Sequence, residues 1–134
     1  MINSNAKGKR GELQVVKIIN RYLGTNFRRT PNSGGLSIKG DIIDIDNSNP
    51  LYEFHIEIKN TNTLQIPKWM QQIENDMPLG KSGLLIAKFK HSWFSWLRLE
   101  DFLFLVSSIM DQQKKIVELE SKIEELENEK KVDD

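Results

Sequence analysis

Cysteine is absent from the 134-residue chain. That excludes disulfides and thiolate metal sites, and a reducing compartment suits such a sequence. Long apolar runs are absent as well. Leu84-Leu85-Ile86-Ala87 and Phe102 to Val106 are short, far below the roughly 20 residues that a membrane span needs. The first eleven residues are polar and basic, so no secretory signal is expected, and the expected location is the cytoplasm. Phosphate-binding glycine motifs are also missing. Gly34-Gly35 is too short for a nucleotide fingerprint and there is no P-loop, so no nucleotide cofactor is expected.

Net charge is the last thing lacking: 19 Lys and Arg balance 19 Asp and Glu. A zero balance argues against a nucleic-acid partner until its distribution is read. Residues 1–40 carry a net +7, residues 41–99 a net −1 and residues 100–134 a net −6. Such segregation suits either two ordinary solvated faces or a phosphate-binding surface beside an acidic tail. Lys7, Lys9, Arg10, Arg28, Arg29 and Lys39 crowd around expected loops and helix ends, which favours phosphate binding.

What is present is a core of about 100 residues, enough to fold without staples, followed by an appendage. We read residues 1–99 as one domain and 100–134 as a C-terminal helix. Leu13, Val16, Ile19 and Leu23 recur at helical spacing over residues 9–23, and Gly24 is a suitable stop. Ile38 to Ile45 and Leu51 to Lys59 read as two strands joined by the turn cluster Asp46 to Pro50, which predicts an antiparallel hairpin. In the second strand, alternation places Tyr52, Phe54, Ile56 and Ile58 on one face, and Glu53, His55, Glu57 and Lys59 on the other. Ile66 to Met77 predicts a helix with Pro67 in its first turn. Gly83 to Phe89 suits a buried strand, and Ser92 to Leu97 a strand or turn. The element order predicts an α/β fold, a mixed central sheet flanked by helices.

From Glu100 the pattern changes. Ile109, Ile116 and Ile123 fall seven apart, as do Gln112, Leu119 and Leu126. These a and d positions predict a coiled coil, and β-branched a residues with Leu at d favour a parallel pair. Gln112 is a weak spot in the seam. A tail helix packed on its own domain is the alternative; the acidic outer face favours self-association as a homodimer.

Four residues carry the chemistry: Glu12, Asp41, Glu57 and Lys59. Glu57-Ile58-Lys59 directs a carboxylate and an ammonium to one strand face. A hairpin centred near Ser48-Asn49 sets Asp41 opposite Glu57 within about one residue. Two adjacent carboxylates repel, and a divalent cation resolves that repulsion with ligands that Mg²⁺ prefers. The metal lowers the pKa of a bound water and neutralises charge on a phosphodiester. Lys59 would position the nucleophile or stabilise the transition state. Each residue alone also suits a bland role: an exposed strand face, turn chemistry after Gly40, or compensation of a helix dipole. His55 reads as a neighbour of the site, His91 as a loop residue, Asp44 and Asp46 as turn acids. Gln71 and Gln72 suit an exposed helix face rather than contact with DNA or the attacking water, and Trp69, Trp93 and Trp96 suit core or dimer interface rather than base stacking.

Order and spacing together resemble a known family. Lys7-Gly8-Lys9-Arg10-Gly11-Glu12, Arg28-Arg29, Ser33-Gly34-Gly35, Gly40-Asp41-Ile42-Ile43 and Ile56-Glu57-Ile58-Lys59 resemble the PD-(D/E)XK nuclease superfamily. Within it the pattern is most similar to the archaeal-type Holliday junction resolvases and their viral relatives. The resemblance covers roughly residues 7–100. It implies a restriction-endonuclease-like fold, a metal site of Glu12, Asp41 and Glu57, a catalytic Lys59, a mobile-loop Ser33 near the scissile phosphate, and a phosphate contact from Arg29 or Arg28. Lys88-Phe89-Lys90 and Trp93 resemble the family's penultimate strand and following aromatic. Leu13 departs from the Arg that often follows the helix glutamate, with Arg10 as a substitute, and the coiled-coil tail is an addition.

The activity implied is Mg²⁺-dependent hydrolysis of DNA phosphodiesters, with Mn²⁺ able to substitute, acting on a four-way junction. A two-fold dimer would set two sites against opposed strands and give paired nicks, the junction being read by shape and backbone. For a viral relative the location would be the host cytoplasm. The alternatives are a restriction-like or repair nuclease on the same fold, or a non-catalytic DNA-binding adaptor.

Overall fold

The α/β reading holds, but the strands are wired differently from the expected hairpin. The computed structural model describes residues 3–31, 40–46 and 49–132. Ser33 and Lys39 lie outside the described residues, as does the start of the expected strand at Ile38. The chain opens with helix α1, Ser4–Leu23. It starts five residues earlier than the apolar stripe implied, because the Asn3 side chain accepts a hydrogen bond from the Asn5 N–H and caps it. Gly24 ends it in the left-handed conformation, as its position suggested.

Strand β1, Phe27–Arg29, pairs antiparallel with β2, Ile42–Asp44. The Asn20 side chain locks β1 to α1, accepting from the Phe27 N–H and donating to the Phe27 carbonyl. Strand β3, Phe54–Lys59, takes β4, Ser82–Phe89, as a parallel neighbour. Helix α2, Ile66–Asp76, makes that parallel crossover. Strand β5, Ser92–Trp96, returns antiparallel to β4 through a turn at Lys90 and His91. The result is a three-stranded mixed sheet in the order β3-β4-β5, with β1 and β2 as a separate pair.

The predicted antiparallel pairing of residues 38–45 with 51–59 is therefore corrected. Asn49 and Pro50 start a 3₁₀ helix over Pro50–Glu53, with the Asn49 side chain accepting from the Leu51 N–H. Asp44 accepts from the Asp46 N–H and from the Asn49 side chain. These bonds wind the connection and consume residues that a hairpin would have paired. The two-face alternation of β3 holds, with Phe54, Ile56 and Ile58 in the cluster beneath α1 and His55 bonded to Glu57 on the other face, but that polar face is buried as well. Side chains alternate along the strand whether or not both faces are buried.

Two apolar clusters make up the core. Val15, Val16, Phe27, Ile42, Ile56, Ile58 and Leu84 pack together beneath α1. Trp69, Ile73, Leu85 and Ala87 pack beneath α2. Adjacent residues Leu84 and Leu85 of β4 thus serve opposite clusters, as strand alternation requires. Helix α3, Leu99–Val132, forms a second unit, residues 98–134, apart from the first, residues 1–97. Among the described residues no helix is long and apolar enough to cross a membrane.

Two glycines set the acids' positions. Gly11 precedes Glu12 on α1 and is buried; a Cβ there would stand 2.7 Å from the Asn60 Cβ just beyond β3. Gly40 precedes Asp41 with φ of +97°, and a Cβ there would meet the Ile56 carbonyl at 3.3 Å. A side chain at Gly40 faces both strain and crowding. We expect Gly40→Ala to cost about 1–3 kcal/mol of stability, read as a lower urea midpoint with unchanged slope. A midpoint equal to that of the parent would show that the left-handed turn before Asp41 is not required.

Candidate active site

The site is built on the β3 backbone. The Asp41 N–H donates to the Ile56 carbonyl at 2.8 Å, and Asp41 Oδ2 accepts from the Ile58 N–H at 2.6 Å. These bonds straddle Glu57 and set the Asp41 carboxyl beside it, close enough for a hydrogen bond between the two acids. The Asp41 carbonyl in turn accepts from the Thr30 N–H at 2.9 Å, tying the end of β1 to the same point. The juxtaposition of Asp41 and Glu57 thus arises without a hairpin.

Electrostatics divides the two acids. Burial, followed by the nearby Glu57 charge, pushes the Asp41 carboxyl up to about 7. Burial also acts to raise Glu57. Hydrogen bonds from His55 and Asp41, with the charges of His55 and Lys59, outweigh it and leave Glu57 below the usual range. Near neutral pH the pair holds one proton between the two carboxyls. His55 Nε2 lies 3.1 Å from Glu57 Oε1. His55 Nδ1 is buried without a hydrogen-bond partner. The ring is 2% exposed and acts as a prop for Glu57.

Glu12 and Lys59 line the same cleft as Asp41, a space of about 470 Å³ that also includes Lys7. Glu12 is held by Arg29 at 2.5 Å. Lys59 reaches Gln72 on α2 at 3.4 Å. Lys7 donates to the Asn62 side chain at 2.5 Å, and its carbonyl accepts from Asn60. An adjoining cleft joins Lys7 to Lys88 and Lys90 through Asn60–Asn62, and another joins Lys9 to Glu12 and Arg29. Arg10 is exposed on α1 and Arg28 on β1. Sequence reasoning missed Asn60 and Asn62. They follow the Glu57-Ile58-Lys59 stretch, and their only sequence signal is polarity at the strand's end. Gln72, read there as an exposed face, is exposed yet touches Lys59.

A chain with these elements and this acid pair can be compared with known proteins. A family model described as "Phage putative PDDEXK endonuclease" matches residues 3–134. The chain belongs to that family. Protein D14 of Escherichia phage T5 is 29% identical over 110 residues, covering 69% of each chain. No solved structure matches. The α/β fold described above is consistent with a PDDEXK nuclease, and nucleases of this type generally use divalent metal ions.

The donor set of this PDDEXK chain fits such an ion in part. Among the described residues no three His, Asp or Glu side chains form a ready metal cluster, and Glu12 is paired with Arg29. Asp41 and Glu57 remain, and Mg²⁺ characteristically takes one or two carboxylates, leaving its other positions to water and substrate phosphate. A carboxyl that holds its proton to about 7 beside a second carboxylate is the electrostatic signature of a place where positive charge is wanted.

The sign of the pH effect follows. Between about 4 and 7 the folded chain keeps a proton on Asp41 that the unfolded chain releases. Folding stability contributed by this group therefore falls as pH rises through that window. A cation that needs both carboxylates ionised must displace the proton. We expect Mn²⁺ or Mg²⁺ affinity, measured by calorimetry, to rise about tenfold per pH unit up to roughly 7 and then level off. Affinity independent of pH between 5.5 and 7 would remove Asp41 from the binding group.

Proposed function

We propose that this PDDEXK endonuclease is a Mg²⁺-dependent, structure-selective nuclease that resolves four-way DNA junctions by paired nicks in the host cytoplasm. One observation supports the catalytic part: the Ile58 N–H holds the Asp41 carboxyl beside Glu57, and Asp41 lines a cleft together with Lys59, Lys7 and Glu12. Junction selectivity rests on the resemblance of the motif series to the archaeal-type resolvases.

Each residue then has a task. Asp41 and Glu57 would hold the divalent ion, which supplies an acidified water and neutralises phosphate charge. Lys59, two residues beyond Glu57 on β3, stabilises negative charge building on the phosphoryl oxygens. Glu12 lines the same cleft and pairs with Arg29, which lines the adjoining one. Arg29, Lys7, Lys9 and Lys39 take neighbouring phosphates, with Arg10 and Arg28 extending the basic surface. Ser33 approaches the scissile phosphate, as the resemblance implies.

The test is cleavage of labelled four-way junction, flap and linear duplex in Mg²⁺ by the purified chain. We expect symmetric nicks in the junction. Equal cutting of duplex would favour a general nuclease, and tight binding without cutting a non-catalytic adaptor. Glu57→Gln should lower cleavage by about a thousandfold while junction binding is largely kept. Lys7→Ala should weaken binding evenly across sequences and reduce its salt dependence by about one counterion. Binding and cleavage lost together in Glu57→Gln would overturn the metal-site assignment.

A further inference from the structure

Helix α3 exposes an apolar row that nothing within its own unit covers. Ile109, Ile116, Leu119, Ile123 and Leu126 are each more than half exposed. They occupy the a and d positions of one continuous heptad phase. A helix of this composition owes most of its stability to burial of such a row rather than to intrinsic propensity.

The flanking charges identify the occupant. In this phase Lys115 and Lys122 fall at g, and Glu120 and Glu127 at e. In a parallel pair, a g residue meets the e residue five positions further along the other helix. Lys115 therefore meets Glu120 of the second copy, and Lys122 meets Glu127, each pairing occurring twice by symmetry. Gln112, the one polar d residue in the row, meets its own equivalent, and two carboxamides satisfy one another. The antiparallel alternative, with Ile116 layered against Leu119, sets Lys115 against Lys122 and buries Gln112 against Ile123. It thus replaces attraction with repulsion and leaves an amide unpaired. Slipping a parallel pair by one heptad leaves Gln112 facing Leu119.

We propose that residues 109–129 of α3 form a parallel, in-register two-stranded coiled coil with a second copy of this chain, its orientation selected by Lys115–Glu120 and Lys122–Glu127 pairs and its register by Gln112. The seam brings the two Arg98 junctions to the same end of the coil, so both N-terminal units attach at that end. The inference stands independently of the substrate, because it concerns residues outside the cleft.

The natural absence of cysteine makes the test clean. Gln112→Cys in the full chain should give a disulfide-linked dimer on a non-reducing gel under mild oxidation, whereas Ser121→Cys, at the outward f position, should not. Charge reversal supplies the second arm. Lys115→Glu with Lys122→Glu, and separately Glu120→Lys with Glu127→Lys, should each weaken self-association about tenfold in sedimentation at low salt. Mixing the two reversed chains should restore a dimer. Sedimentation of the parent as a monomer at tens of micromolar would overturn the proposal. So would crosslinking only in the Gln112→Cys, Ile123→Cys double variant, the antiparallel signature.

Discussion

The site depends on one unfavourable contact: two carboxyls held side by side where water is scarce. Burial alone would neutralise both acids. The protein instead splits them, stabilising charge on Glu57 through His55 and Lys59 and leaving the proton with Asp41. That arrangement costs folding energy whenever the proton is lost, so the surrounding scaffold must impose it. The Ile56 carbonyl and the Ile58 N–H grip Asp41 from both sides of Glu57, and Gly40 supplies the backbone angle that lets the chain come so close. The apolar cluster beneath α1 and the pairing with β4 hold β3 in place for the grip. A divalent ion would relieve the repulsion that all of these features sustain.

The acids were legible in sequence because each sits next to a local signal. Asp41 follows a glycine, and Glu57 and Lys59 flank an isoleucine in an apolar strand. The helices were legible for the same reason, through apolar spacing and a glycine stop. The partner of β3 was not. A run such as Phe54 to Lys59 can pair on either side and in either direction, and proximity in the chain favours a hairpin. Asp44 and Asn49 decide otherwise by turning the connection into a capped 3₁₀ helix. Such side-chain capture leaves no periodic mark in the sequence. Asn60 and Asn62 were illegible for a similar reason, since their importance lies in reaching Lys7 across more than fifty residues.

Glu12 shows how a shared cleft differs from a shared ligand set. It lines the same space as Asp41 and adds to the charge felt there, yet its carboxylate is paired with Arg29. The ion pair has a structural logic. Arg29 ends β1 and Glu12 lies on α1, so their contact closes the gap between the helix and the two-stranded pair. An arginine partly exposed beside a cleft of lysines keeps donors available, and a phosphate brought there would compete with Glu12 for them.

The zero net charge has the same explanation at the scale of the whole chain. The basic excess lies in the first 40 residues and the acidic excess in the last 35. In the first segment Lys7, Lys9 and Arg29 line clefts around the acid pair, where positive potential attracts a phosphate backbone. In the last, glutamates at e and lysines at g alternate along α3 in the order that the proposed pairing with a second copy would use. Whole-chain charge would have argued against a nucleic-acid substrate, because it averages a basic segment with an acidic one.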